Sequence, residues 1–333
     1  ASAAALAATA LLVRRRADQA ERDHPPTGYF LTVDNVRLHY QDWGNGPPVV
    51  LLHGNGAMAE DFPVSGVFDL LARHHRVIAF DRPGFGYSGR PREQVWTPEA
   101  QAHLLLHAMA ALGIERPVVL GHSWGALVAL AMALAAPSGL RGLVLVGGYY
   151  YPTGRADAPP LSPPVIPVLG DVMRHTVSPV MARLMMPKLL QRIFEPAPVS
   201  ARFTEHFPLD LCLRPEQIRA TAEESALMIP AAARLREHYS KITLPVAIIA
   251  GGDDSIADAG RQSQRLHDEI RHSTLRLIPG AGHMVHYAAP DIVAATVHAL
   301  AQPRPTRRAA PVRRTPWQIL TSGLGLGGKA EMR

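Results

Sequence analysis

Residues 117–136 read PVVLGHSWGALVALAMALAA, and this stretch decides the fold. Its first four residues form an apolar run typical of a buried strand, and residues 126–136 form an apolar helical run. Between the two runs lies Gly-His-Ser-Trp-Gly at 121–125, which matches the Gly-X-Ser-X-Gly pattern of a sharp strand-to-helix turn. Glycine at both ends of the pattern leaves room where strand and helix approach each other. We therefore predict that Ser123 is exposed at a helix N-terminus, where free amides favour negative charge.

Short apolar strands and helical stretches alternate on both sides of this turn. A predicted hairpin, with Asp34 and Asn35 as its turn pair, opens the series. The strands that follow it are predicted at 49–52, 77–80, 118–120, 143–146, 246–249 and 275–278. Continuous apolar strands separated by helices are typical of a parallel sheet that is covered on both faces. The sequence thus predicts an α/β fold with a mostly parallel central sheet flanked by helices.

The strand rhythm stops over residues 149–240, which are rich in proline and contain helical apolar runs at 179–194 and 215–239. Because strands resume directly after this stretch, we predict an inserted helical lid there, with a core made of 28–148 and 241–302. A chain of 333 residues is long enough for such a core and its insertion.

The two ends of the chain differ from this core. Residues 1–27 begin with an apolar run that three arginines follow at once. The run is shorter than the roughly 20 residues of a membrane span, so we interpret it as a candidate for a truncated membrane anchor, with a frayed helix or processed leader as the alternative. Residues 303–333 are rich in Pro, Arg and Gly and are predicted to form a disordered basic tail. These ends suggest a membrane surface as a partner, so both a cytoplasmic and a membrane-associated location stay open.

The formal net charge of +6 comes from the end of the chain. Seven basic residues and one acidic residue lie in 301–333, which accounts for the whole excess. The rest of the chain is formally neutral, so we expect no nucleic acid as a partner. A single cysteine, Cys212, excludes an intrachain disulfide and thiolate-rich metal sites, and we expect a free, buried thiol there. We predict no metal and no organic cofactor.

A serine hydroxyl is a weak nucleophile and needs a neighbouring base. Among 16 histidines, His283 stands out because it ends PGAGH, a glycine-rich loop directly after the last predicted strand. Loops at the carboxyl ends of strands line the active-site crevice of an α/β sheet. We therefore predict that His283 is the base for Ser123, and we interpret His286 as structural.

The base needs an acid that orients its imidazole. Asp253 and Asp254 follow the strand at 246–250, and both are candidates. Two glycines follow the strand at 143–146, so no acid stands at that position.

An oxyanion formed at Ser123 needs backbone donors. The amide of Trp124, the residue after the serine, is the first candidate. The loop HGNG at 53–56 follows an early strand and offers an unhindered turn. We assign the second donor to the backbone amide of Asn55, with Gly56 as the neighbouring alternative.

Together these motifs resemble those of the α/β-hydrolase superfamily, in its capped serine esterase and lipase-like branch. The matching motifs are HGNG at 53–56, DRPGFGYS at 81–88, GHSWG at 121–125, GGDD at 251–254 and GAGH at 280–283. They occur in the family's order, and the chain order of serine, acid and histidine also agrees. The resemblance implies a lid between the sixth and seventh core strands. The family's spacing selects Asp254 as the acid.

The resemblance further implies a serine hydrolase that acts through an acyl-enzyme, and we expect its substrate to be a small-molecule carboxylic ester of apolar or small-aromatic character. Tyr149 and Met284 are candidates for an apolar substrate pocket. Serine at position 123 argues against relatives that use an aspartate nucleophile, such as haloalkane dehalogenases and epoxide hydrolases. A carbon–carbon bond hydrolase, a lactonase and cofactor-free perhydrolysis stay open with the same triad, and a non-catalytic ligand-binding member is a further alternative. The sequence decides neither the acyl-chain preference nor the oligomeric state.

Overall fold

The computed structural model describes residues 2–154 and 169–302, and an eight-stranded sheet organises them. The strands are β1 (Tyr29–Val33), β2 (Val36–Trp43), β3 (Pro48–Leu52), β4 (Arg76–Phe80), β5 (Val118–His122), β6 (Gly142–Val146), β7 (Val246–Gly251) and β8 (Thr274–Ile278). Their order across the sheet is β1-β2-β4-β3-β5-β6-β7-β8. The pairs β1–β2 and β2–β4 are antiparallel, and the remaining pairs are parallel. The predicted α/β-hydrolase fold, with its mostly parallel sheet, is confirmed.

The helices of the described residues lie partly on the two faces of this sheet and partly outside it. They are α1 (Ser2–Asp23), α2 (Asp61–Ser65), α3 (Val67–Ala72), α4 (Pro98–Ala111), α5 (Trp124–Ala135), α6 (Leu169–His175), α7 (Val177–Phe194), α8 (Ala201–His206), α9 (Leu209–Cys212), α10 (Pro215–Leu235), α11 (Arg265–Glu269), α12 (Val285–Ala288) and α13 (Pro290–Ala301). A 3₁₀ turn at Arg236–Lys241 continues α10.

Two apolar cores lie on opposite faces of the sheet because successive side chains of a strand point in opposite directions. In β3, Val50 and Leu52 belong to the core that also contains α4 and α5. Val49 and Leu51 belong to the other core, together with α3 and α13. All four side chains are fully buried. This alternation is why β3 is apolar along its whole length.

The hairpin of β1 and β2 turns at the predicted pair. Asp34 and Asn35 have φ values of 49° and 60°, and Val33 pairs with Val36 directly across the turn. Two consecutive residues with positive φ are typical of the tight turns that match the twist of a hairpin, and Asp and Asn tolerate that conformation.

Helices α6 to α10 lie between β6 and β7 in the chain. The carboxyl-terminal half of α10 packs into the core of α5 through Met228, Ala231 and Leu235. Helices α7, α8 and α9 contribute instead to a separate apolar cluster, in which Cys212 is free and buried as expected. Residues 155–168 of the predicted lid lie outside the described residues. The action of this insertion as a lid stays a prediction.

The N-terminal segment forms one helix that packs on these inserted helices. Val13 and Ala20 of α1 are buried, and Glu21 forms an ion pair with Arg214 at 2.7 Å. In the described part of the chain, we find no helix with the length and apolar character needed to cross a membrane. The basic tail predicted over 303–333 lies outside the described residues.

Candidate active site

Ser123 lies at the sharp turn between β5 and α5. Its φ of 51° and ψ of −116° are rarely adopted by a residue with a side chain. The conformation is held by the backbone amide of Ser123, which donates to the Val146 carbonyl oxygen at 3.0 Å. A Cβ atom added at Gly121 would lie 2.3 Å from the Gly125 carbonyl oxygen, so only glycine allows this close approach. The turn projects the serine at the carboxyl end of the strand, but Ser123 is buried there, so the predicted exposure of the serine is wrong.

His283 and Asp254 complete a hydrogen-bonded series with this serine. The Nε2 atom of His283 lies 3.0 Å from Ser123 Oγ, and its Nδ1 atom lies 2.9 Å from Asp254 Oδ2. The three side chains come from the loops after β5, β7 and β8. They meet because the carboxyl ends of parallel strands lie at one edge of the sheet.

Asp254, and not its neighbour, contacts the histidine. Burial alone would raise the pKa of the Asp254 carboxyl, but His283 and the backbone amides of Ile256 and Ala257 hold that pKa below its ordinary value. An ionised Asp254 can orient the imidazole and stabilise it when it is protonated. Asp253 is exposed and accepts a hydrogen bond from the Gly280 amide at 3.0 Å.

The two candidate oxyanion donors border the serine from different elements. Trp124 is the first residue of α5, so its amide is among those that a helix leaves unpaired. The loop that carries Asn55 passes next to Ser123. A Cβ atom added at Gly54 in this loop would lie only 3.2 Å from Ser123 Cβ. The Asn55 side chain points to the inserted helix α10, where its Nδ2 atom donates to Ser225 Oγ at 3.0 Å.

This fold agrees with a comparison to known families. A family model described as alpha/beta hydrolase fold matches residues 47–290. The chain belongs to the alpha/beta hydrolase fold family.

Relatives of this α/β hydrolase have several activities. The chain is 33% identical to the 2-hydroxymuconate semialdehyde hydrolase of Pseudomonas putida, and the match covers 38% of this chain and 46% of that protein. It is 27% identical to haloalkane dehalogenase 2 of Mycobacterium tuberculosis over 78% of this chain and 90% of that protein. An esterase structure from Exiguobacterium antarcticum superposes with a TM-score of 0.68 at 21% identity, covering 83% of this chain and 100% of that chain. The likeness to the esterase structure shows the fold alone. The two sequence relatives support a hydrolase.

A buried ion pair connects the Asn55 loop of this hydrolase to α10. The guanidinium of Arg82 donates to the carbonyl oxygens of His53 at 2.8 Å and Gly54 at 2.9 Å. It also pairs with Glu224 of α10, which accepts a further hydrogen bond from Gln101 at 2.8 Å. The side chains of Arg82 and Glu224 are both fully buried. Sequence reasoning missed Glu224, because one of three glutamates in a helix carries no local signal of a buried partner.

A second buried cluster braces the loop of His283. Among the described residues, Asp61, His122 and His286 have potential metal-ligating atoms within 4.8 Å of one another. Hydrogen bonds inside the protein already engage the carboxylate, since His286 Nε2 lies 2.8 Å from one oxygen and Tyr287 donates to the other at 2.9 Å. His122 Nε2 lies 3.2 Å from the His283 carbonyl oxygen. This arrangement agrees with the structural interpretation of His286.

The two predicted pocket residues are not brought together. Tyr149 is fully buried in the core of α4 and α5, and its hydroxyl exchanges hydrogen bonds with the backbone of Thr153. Met284 belongs to the cluster under the inserted helices, which also contains Phe194 of α7. Of the two, Met284 follows His283 directly and lies nearer in the chain to the reacting groups.

Two buried histidines near the site make stability depend on pH. Burial, aided by the charge of Arg82, lowers the pKa of His53 to about 3. Burial and the adjacent His286 and His283 lower the pKa of His122 well below its ordinary value. Between about pH 3 and 6.5 the unfolded chain therefore binds protons that the folded chain does not, so stability falls as the pH decreases.

We expect the free energy of unfolding to fall by about 2 kcal/mol between pH 7 and pH 5 through His53 alone, and His122 should lower it further. Urea unfolding at both pH values measures the difference. The variant His53→Gln should show a smaller dependence, whereas His103→Gln, which replaces an exposed histidine, should match the wild type. Equal stability of the wild type at pH 7 and pH 5 would contradict this account.

Proposed function

We propose that this protein is a serine hydrolase that cleaves carboxylic esters through a covalent acyl-enzyme. The observation that carries the proposal is the unbroken series from Ser123 Oγ through His283 to Asp254, with contacts of 3.0 Å and 2.9 Å. A serine hydroxyl becomes an effective nucleophile when such a base takes its proton during attack.

The same geometry supports each step of the proposed reaction. Ser123 Oγ attacks the ester carbonyl carbon while His283 Nε2 takes the hydroxyl proton, and Asp254 stabilises the resulting imidazolium. The backbone amides of Trp124 and Asn55 donate hydrogen bonds to the oxyanion of the tetrahedral intermediate. His283 then protonates the departing alcohol, and the acyl group stays on Ser123. A water molecule activated by His283 releases the acid in the second half of the reaction.

The covered position of the site favours small acyl groups. Ser123 is 6% exposed, and the Asn55 loop beside it is tied to Thr221 and Ser225 of α10. A long acyl chain would have to displace α10 from these contacts. We therefore propose that short esters are the better substrates.

Initial rates on p-nitrophenyl esters from acetate to dodecanoate test this proposal. We expect kcat/KM to be highest for acetate or butyrate and to be lower by about tenfold or more for dodecanoate. A loss of a few kcal/mol from the displaced contacts of α10 is enough for that tenfold difference. Ser123→Ala is the control for hydrolysis that does not depend on the triad. Absence of hydrolysis of every ester in the series would contradict ester cleavage.

A second candidate is hydrolysis of a carbon–carbon bond by the same three residues. The 33% identity to the 2-hydroxymuconate semialdehyde hydrolase of P. putida favours it. A vinylogous diketone and a lactone belong in the same assay, because preference for either over the p-nitrophenyl esters would replace the ester proposal. Dehalogenation is not proposed, since position 123 holds serine and not the aspartate expected of a dehalogenase nucleophile.

A further inference from the structure

Arg214, the residue directly before α10, joins three parts of the chain. Its guanidinium pairs with Glu21 of α1 at 2.7 Å and donates to the Gly86 carbonyl oxygen in the turn after β4. Its Nε atom donates to the Leu211 carbonyl oxygen of α9 at 3.1 Å. Arg214 is only 8% exposed, so these contacts largely replace water around its charge. The residue thus connects the N-terminal helix, the inserted helices and the core.

The amino-terminal half of α10 rests on the core through polar groups. The side chain of Gln217 accepts a hydrogen bond from the Gly86 amide at 3.0 Å. The backbone carbonyl oxygen of Thr221 accepts one from the Asn55 side chain at 3.2 Å. These two residues follow Arg214 by three and seven positions, a spacing that places all three on one face of a helix. This face of α10 lies against the loop of Asn55.

The two halves of α10 are held by different forces. The carboxyl-terminal half is anchored in an apolar core through Ala231 and Leu235. Pro230 directly precedes this anchored part, and a proline inside a helix removes one hydrogen bond and favours a bend there. The polar contacts of the amino-terminal half can be exchanged for water at a small net cost. Separation would also return both charges of the Arg82–Glu224 pair to water, which costs less than removing one partner from a buried pair.

We propose that Arg214 is a positioning residue that determines specificity by holding the amino-terminal half of α10 over the loop of Asn55. Its ion pair with Glu21 lets α1, which packs on α7 and α9, brace this closed position. Loss of the Arg214 contacts would let that half of α10 separate from the core, so that a longer acyl chain reaches Ser123. The effect on acyl length rests on the proposed esterase function, whereas the closed position of α10 does not.

Hydrogen exchange of the Gly86 amide reports this movement without any substrate. The Gly86 amide donates to Gln217 of α10 across the interface, whereas the Ser88 amide donates within its own turn. We expect Glu21→Gln to speed exchange at Gly86 by about threefold and Arg214→Met by about tenfold or more, with exchange at Ser88 unchanged. Glu21→Gln is informative because Glu21 reaches Gly86 through Arg214.

The second readout is the ratio of kcat/KM for p-nitrophenyl dodecanoate to kcat/KM for p-nitrophenyl acetate. We expect Arg214→Met to raise this ratio by about fivefold or more. A change that only destabilised the fold would leave the ratio as it is in the wild type. Asp18→Asn is the matched control and should equal the wild type in both readouts, because Asp18 is an exposed acid of α1. Thermal unfolding of each variant shows that it is folded.

Two results would overturn the proposal. One is exchange at the Gly86 amide that is equally fast in the wild type and in both variants. The other is faster exchange at Gly86 in Arg214→Met without any change in the ratio of dodecanoate to acetate, since the position of α10 would then not govern acyl length. If the wild type hydrolysed no ester, the esterase proposal would fail, and faster exchange in both variants would still support the positioning role of Arg214.

Discussion

Ser123→Ala is expected to lower kcat for p-nitrophenyl acetate by about 10⁴-fold or more. The activity that remains would come from substrate binding and the candidate oxyanion donors alone. The change removes only the hydroxyl oxygen, which lies 3.0 Å from His283 Nε2. The melting temperature should stay close to that of the wild type, because the Cβ atom and the backbone turn are retained. A variant that keeps more than a tenth of the wild-type kcat would exclude Ser123 as the nucleophile.

The two adjacent aspartates provide a matched comparison in the same assay. Asp254→Asn should lower kcat by about 10³-fold or more, because an amide cannot stabilise the imidazolium as a carboxylate does. Asp253→Asn should leave kcat within about twofold, since Asn can still accept the hydrogen bond that Asp253 receives from the Gly280 amide. A reversed order of the two effects would assign the acid to Asp253.

Glu224→Gln is expected to destabilise the protein by about 3 kcal/mol or more and to lower kcat more than it raises KM. The stability effect arises because the guanidinium of Arg82 would remain fully buried without its negative partner. The kinetic effect arises because Arg82 also holds the His53 and Gly54 carbonyl groups, and with them the loop of Asn55. Urea unfolding measures the first effect, and steady-state kinetics on p-nitrophenyl acetate measure the second.

Glu216→Gln is the control for this change, because Glu216 is an exposed acid in the first turn of the same helix. A surface substitution of this kind should change the free energy of unfolding by no more than about 0.5 kcal/mol. If Glu224→Gln were as stable as Glu216→Gln, the buried pair would not hold α10 against the core. Lost stability with unchanged kcat would show that Arg82 stabilises the fold without positioning the loop of Asn55 for catalysis.

The parts of the site that follow strand ends could be predicted from the sequence. A nucleophile turn after β5 and a glycine-rich loop after β8 are local patterns, and a parallel sheet brings both to one edge. The choice between Asp253 and Asp254 needed more than local reasoning, because both follow β7 directly. The structure distinguishes them by burial and by the contact of Asp254 with His283.

The parts of the site that depend on long-range packing could not be predicted. Arg82 and Glu224 are 142 residues apart in the chain, and no periodicity relates a turn after β4 to a position in α10. The same applies to Tyr149, whose aromatic ring suggested a pocket at the end of β6. The structure buries it in the core, and the backbone amide of its chain neighbour Tyr150 donates to Gln262 Oε1 at 2.7 Å.

Intact-mass spectrometry after treatment with a fluorophosphonate tests the covalent serine mechanism most directly. We expect the wild type to gain the mass of one adduct, with the modified peptide containing Ser123. Ser123→Ala should gain none, and His283→Ala should react far more slowly, because the hydroxyl loses its base. An unmodified wild type, or an adduct on a residue other than Ser123, would contradict an acyl-enzyme formed at this site.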